Sequence, residues 1–171
     1  MPRAPRKPRP KGTGPTVFIY GAGSWNSLEP DIAGWSASIK NTGTGKTEYI
    51  SGVLIPPEDS APEGGTINIS NIRAEMVALV KALESLPDDS TVSVWIPSDF
   101  IPNAIHYKKS MTRKANLDVW EQLDKAMSRH VIKRVRHEPL FYHRPEMMEV
   151  NNRATRAKVG YQIKQEENSN A

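Results

Sequence analysis

The sequence predicts an α/β domain: a mixed five-stranded sheet, with three strands in an antiparallel meander and two further parallel strands, flanked by helices. Three observations predict it. Short segments alternate apolar and other residues with period two, as at Trp35, Ala37 and Ile39. Ile72, Met76, Leu79, Val80, Leu83 and Leu86 recur at helical spacing. The order along the chain is three strands, a helix, a strand, helices, a strand and a last helix, with no internal repeat.

Each element has a local reason. Val17 to Tyr20 is a short apolar run, and Gly21-Ala22-Gly23 after it reads as a turn. Gly34 to Lys40 alternates as a half-buried strand, Asn41-Thr42-Gly43-Thr44-Gly45 is a hairpin turn, and Thr47 to Leu54 returns. Residues 55–68 hold Pro56, Pro57, Pro62, Gly64 and Gly65 and read as a loop. The main helix follows and stops at Pro87. Thr91 to Ile96 is a fourth strand, and Asp99 to Tyr107 a short helix. Asn116 is placed to cap a helix carrying Leu117, Trp120, Leu123 and Met127. Val131 to Arg136 is a fifth strand, and Pro145 to Val159 a final helix with proline in its first turn.

The chain has 171 residues, with 23 Lys and Arg against 19 Asp and Glu, a formal charge of +4. Arg3, Arg6, Lys7, Arg9 and Lys11 lie in the first twelve residues with no acid among them, interleaved with prolines. Without them 18 basic and 19 acidic residues remain, so the excess belongs to the arm. The expected division is a disordered basic arm over 1–15, one domain over 16–161 and a flexible polar tail over 162–171. Clustered cations without acids attract phosphates, so nucleic acid is the expected partner. The absence of Cys excludes a disulfide scaffold, a zinc-thiolate site and a cysteine nucleophile. No apolar run has a membrane span's length and the N-terminus carries no secretory pattern, so a cytoplasmic or nuclear setting is expected, without membrane. Gly45-Lys46-Thr47 lacks the first glycine of a phosphate-binding loop, since Lys40 stands there, and Asn26 breaks the dinucleotide pattern begun by Gly21 and Gly23.

Glu75 is the notable carboxylate. It falls on the edge of the main helix's apolar stripe, where a carboxylate is costly unless a cation, a metal or water meets it. The plain alternative is a half-exposed Glu paired with Arg73 or favoured by the helix N-terminus.

Four segments carry a resemblance. Val17 to Ser24 resembles the first strand of ribonuclease HI, which ends in Asp-Gly-Ser. Asn71-Ile72-Arg73-Ala74-Glu75-Met76 resembles that family's Asn-Asn-Arg-x-Glu-Leu motif, and Leu117 to Asp124 its Asp-Leu-Trp-x-x-Leu-Asp helix. Arg144-Pro145-Glu146, followed by Asn151, is similar to the segment leading into its last helix. The resemblance runs from about Thr16 to Ala157 and implies the RNase H-like fold.

It also implies an active site in which four carboxylates hold two divalent cations. The matching positions here are Ala22, Glu75, Pro97 and Asn151, so three of the four carboxylates are replaced. Asp99, Glu149 and Asp31 lie at the wrong spacing to substitute. The position of the family's mobile His falls on Phe141, between His137 and His143. The expectations are therefore no intact catalytic residue, a lost magnesium or manganese site, and no cofactor. The expected function is a catalytically inactive protein that binds an RNA–DNA hybrid or structured RNA. Two other readings are a structural or adaptor subunit of a polymerase or ribonucleoprotein assembly, and a ribonuclease H with relocated ligands. The expected contacts to nucleic acid are Ser24, Ser70, Asn71 and Ser98, the trimmed loop with Lys108, Lys109, Arg113 and Lys114, and the cations of the arm. Capping and turn chemistry is the plain alternative for the four polar residues. Residues 106–137 hold nine cations against three acids.

Overall fold

The computed structural model describes residues 4–55, 69–107, 113, 115–139 and 144–170. The elements are β1 (Thr16–Ser24), β2 (Ala33–Asn41), β3 (Thr47–Leu54), α1 (Asn71–Glu84), β4 (Thr91–Ile96), α2 (Phe100–Tyr107), α3 (Leu117–Met127), β5 (Val131–His137) and α4 (Pro145–Ser169). The strands stand in the order β3-β2-β1-β4-β5. β1, β2 and β3 pair antiparallel, while β4 lies parallel to β1 and β5 parallel to β4. This is the expected mixed sheet.

The β2–β3 turn closes because Asn41 accepts from the N–H groups of Gly43 (2.9 Å) and Thr44 (3.2 Å). Gly45 then takes a left-handed φ of 75°, which glycine adopts without a side-chain clash. Ser70 opens α1 by accepting from Arg73 N–H at 3.1 Å. Helices cover both faces of the sheet. α1 lays Met76, Leu79 and Leu83 on one, each at most 1% exposed. On the other, Tyr20, Ala22 and Trp95 pack with Met147 and Val150 of α4. Successive strand residues point to opposite faces, so Gly21 and Gly23 lie under α1 while Ala22 between them lies under α4.

This packing corrects the expected turn at Gly21-Ala22-Gly23, because β1 continues through Ser24. A Cβ on Gly23 would stand 2.7 Å from the Ala74 Cβ and 2.9 Å from the Asn71 carbonyl oxygen. The glycine therefore marks where α1 presses on the strand. Gly34 has the same role under α4, since a Cβ there would lie 1.9 Å from the Ala154 carbonyl oxygen.

The ends of the chain also differ from expectation. The final helix does not stop near Val159 but runs to Ser169. Its second half is rich in Lys, Gln and Glu, good helix formers. Glu29 braces it, pairing with the buried Lys158 at 3.2 Å and accepting from Gln162. At the other end, Gly12 and Thr13 donate to the Asp89 carboxylate and Gly14 N–H to the Asp89 carbonyl. The arm's last residues are thus fastened to the body. Asn116 precedes α3 as expected, but in a left-handed conformation and without a capping hydrogen bond. Its side chain accepts from Arg73 instead.

Candidate nucleic-acid interface

The end of the sheet where β1 and β4 finish gathers most of the residues singled out in the sequence. Glu75 reaches it from the second turn of α1 and is 1% exposed. Burial disfavours the charged form and pushes its carboxyl up from 4.5 to about 7. The Ser98 N–H and hydroxyl pull the other way. The hydroxyl lies near the carboxyl without reaching hydrogen-bond geometry, since Ser98 Oγ and Glu75 Oε2 are both buried without a partner. Ser36, directly across from Ala22, is a second buried hydroxyl with no partner.

The other matched positions lie at the same end of the sheet. Ala22 is 0% exposed, its methyl inside the apolar cluster under α4. Pro97 is half-buried at the end of β4. Asn151 is half-buried on α4, one turn before Thr155, whose hydroxyl lies 3.0 Å from Ser24 Oγ and 3.2 Å from the Asn151 carbonyl oxygen. A contact thus ties the end of β1 to the last helix. Asn71 is exposed as the first residue of α1, and Ser70 beside it is occupied by capping. Asp99 is exposed just beyond Ser98, while Glu149 is taken up by Arg153 at 2.8 Å and Arg156 at 3.4 Å.

These residues do not fit a pair of hard divalent cations. Such ions require several oxygen ligands, preferably anionic, and this site offers a methyl, a proline ring, a neutral amide and one carboxyl that holds its proton up to about 7. Among the described residues no group of three or more His, Asp or Glu could hold an ion.

Not every expected contact belongs here. Arg113 is committed elsewhere: it pairs with Asp124 at 2.6 Å, donates to the Ala104 carbonyl and stacks 4.1 Å over the Trp120 ring. Lys108, Lys109, Lys114 and Arg3 lie outside the described residues, as do Phe141 and His143. Arg6, Lys7, Arg9 and Lys11 are exposed on the arm at the far end of β1.

One important pair was not foreseen. Arg73, a candidate partner for Glu75, turns instead to α3 and binds Asp118 through two hydrogen bonds of 3.0 and 2.6 Å. The guanidinium holds the Asp118 carboxyl below its ordinary value. The Arg73 side chain is 2% exposed, so a desolvated charge fixes α1 against α3. The two sequence motifs around residues 73 and 118 are the two halves of one ion pair.

The sheet order, the covering helices and the residues at the strand ends define an RNase H-like fold. No family model matches the chain. A Ribonuclease H of Thiobacillus denitrificans is 30% identical over 131 residues, 70% of this chain and 78% of the relative. One from Rhodopseudomonas palustris is 27% identical over 133 residues, covering 71% of this chain and 74% of the relative. Among solved structures, the N-terminal RNase H domain of a Mycobacterium tuberculosis protein, fused to maltose-binding protein, superposes with TM-score 0.63. It has 15% identity and covers 88% of this chain and 99% of its own. LC11-RNase H1 in complex with RNA/DNA hybrid gives 0.59 at 21% identity, covering 81% and 96%. The chain belongs to the ribonuclease H family.

That membership corrects the expectation of a catalytically inactive binder, with its adaptor alternative. It rested on three replaced side chains, whereas the relatives that span most of this chain carry the name of the enzyme. Among the described residues no helix is long and apolar enough to cross a membrane.

Proposed function

We propose that this chain works on RNA–DNA hybrids, the substrate class of ribonuclease H, and that the hybrid lies on the sheet end around Glu75. The observation that carries the reading is the frame of small polar groups there. Ser24 ends β1, Asn71 begins α1 and Ser98 follows β4, all converging beside Gly23 and Glu75. The exposed Asn71 amide and the half-buried Ser24 hydroxyl suit the 2′-hydroxyls and sugar edges of an A-form minor groove. Membership of the ribonuclease H family supports the same ligand.

Hydrolysis of the RNA strand is the activity for which the relatives are named, and it enters here as part of the proposal. Among the described carboxylates, Glu75 is the one placed to take part in it. The test is a hybrid labelled on its RNA strand, incubated with the protein and magnesium or manganese. Cleavage that is lost in Glu75→Gln supports ribonuclease H chemistry at this position. Binding is read in parallel, and the hybrid should bind about tenfold tighter than a DNA duplex of the same sequence. Ser24→Ala with Asn71→Ala should remove most of that preference. Equal binding of hybrid and DNA duplex would count against the reading.

A further inference from the structure

Beyond the candidate site, the cations of β5 and the arm form a series. β5 is an outer strand, with Lys133 and Arg136 exposed and Arg134 half-buried. No ion pair engages these three among the described residues. Because β5 runs parallel to β4, Arg136 stands beside Trp95, one residue before the end of β4 near which Glu75 and Ser98 meet. Arg134 stands beside Ser93. Lys133 is the extra residue where the register slips between Val92 and Ser93, a bulge that re-aims a side chain on a strand edge.

At the foot of β5 the nearby acids are already engaged. Asp88 pairs with Arg129 at 2.6 Å. Asp89, at a left-handed φ of 62°, takes the N–H groups of Gly12 at 2.7 Å and Thr13 at 3.0 Å, and the Thr13 hydroxyl. Gly12 lies tight against Thr91 and Val131, the first residues of β4 and β5; a Cβ on it would stand 2.7 Å from Thr91 Oγ1 and 3.5 Å from Val131 Cγ2. The clip therefore fixes where the arm leaves the body. Lys11, Arg9, Lys7 and Arg6 extend from the foot of β5, roughly 20 Å from Ala22 at about 3.3 Å per strand residue.

We propose that the outer edge of β5 and the clipped arm form one phosphate track, which holds the flank of a duplex whose other part lies at the candidate site. This rests on the hybrid reading above and adds a second contact region, which runs from beside the site to the foot of the sheet. Arg136 stands at its near end and Lys133 midway, with the arm beyond. The track meets phosphates alone, so it should hold a hybrid flank and a DNA flank alike. Arm residues 4 to 11 add roughly 25 Å when extended. A hybrid of about eight base pairs then covers the site alone, and one of about twenty reaches the arm.

The test uses the full chain and both lengths of hybrid, titrated at several salt concentrations. One variant carries Arg6→Ser, Lys7→Ser, Arg9→Ser and Lys11→Ser, and another Lys133→Ser with Arg136→Ser. The arm variant should weaken the long hybrid about tenfold or more and leave the short one within about twofold. The edge variant, which removes Arg136 beside the site, should weaken the long hybrid several-fold more than the short one. The slope of log K against log salt should become shallower by about 3.6 for the arm variant and about 1.8 for the edge variant. Extending the short hybrid with plain DNA duplex should restore the length gain in the unaltered chain. Equal effects on short and long hybrid would overturn the track, as would a long hybrid that gains nothing over the short one. Charges on an outer strand also deter edge-to-edge pairing. Loss of solubility in the edge variant with unchanged binding would assign it that role instead. Failure of the unaltered chain to bind either length overturns the hybrid reading itself, and the track with it.

Discussion

Glu75 and Asp89 stand at opposite ends of the same sheet and titrate in opposite directions. Glu75 is buried with one oxygen unpartnered, and desolvation raises it to about 7. Asp89 is half-buried, and the Thr13 hydroxyl with the Gly12 and Thr13 N–H groups lowers it to about 2. The difference teaches that donors facing a carboxylate, rather than its depth alone, decide whether it carries charge. One end of the sheet has a satisfied anion that fastens a cationic arm. The other has an unsatisfied carboxyl beside one buried and unpartnered hydroxyl, that of Ser98, an arrangement that costs stability.

Asp118 belongs with Asp89, as an acid fully met by donors, and the largest expected effect comes from breaking that match. Arg73→Ala should lower stability by about 3 kcal/mol in urea denaturation, because it strips a buried charge pair of one partner. The Asp118 carboxyl is held below its ordinary value. Its contribution is present at neutral pH and lost as pH falls through that lowered value. A variant within about 0.5 kcal/mol of the parent would show that the pair is dispensable.

The next effect sharpens the contrast. The folded chain keeps the Glu75 proton up to about 7, whereas the unfolded chain loses it near 4.5. Between those values the folded state binds more protons, so stability falls as pH rises. The loss approaches about 3 kcal/mol above pH 7, at about 1.4 kcal/mol per pKa unit. Glu75→Gln should remove this dependence and be more stable than the parent at pH 8, with little difference near pH 4.5. Denaturation midpoints across that range test it, and a parent curve that stays flat would contradict the assigned burial.

Asp89 has the opposite sign. Its contribution is present above 3.8 and lost as pH falls toward about 2. Asp89→Ala should loosen the arm, read as faster proteolysis after Lys11 and faster amide exchange at Gly12 and Thr13, with a smaller change in global stability than Arg73→Ala. The smallest effect concerns magnesium without nucleic acid. With one carboxyl at the site and no metal-holding cluster of acids among the described residues, the chain should gain no stability beyond that from sodium chloride of equal ionic strength.

Much of the fold was readable because hydrophobic period and turn chemistry are local. Strand β3 and strand β4 begin and end where alternation and turn residues place them. Glycine misled at β1, where Gly21 and Gly23 read as a turn but continue the strand, and Gly23 serves the close approach of α1, a tertiary fact. The polar end of α4 read as a tail, because its helix depends on Glu29, more than a hundred residues earlier. The site was readable as positions, through motif order. Its electrostatics were not, since the depth of Glu75 and the turn of Arg73 toward Asp118 depend on how α1 and α3 dock.

The central claim, that an RNA–DNA hybrid lies on the sheet end around Glu75, is tested most directly by comparing three duplexes of one sequence at one salt concentration. The account predicts that the hybrid binds about tenfold tighter than the DNA duplex. Ser24→Ala with Asn71→Ala should bring the hybrid to the DNA duplex's level, and double-stranded RNA should not exceed the hybrid. Equal affinity for hybrid and DNA duplex in the unaltered chain would contradict it.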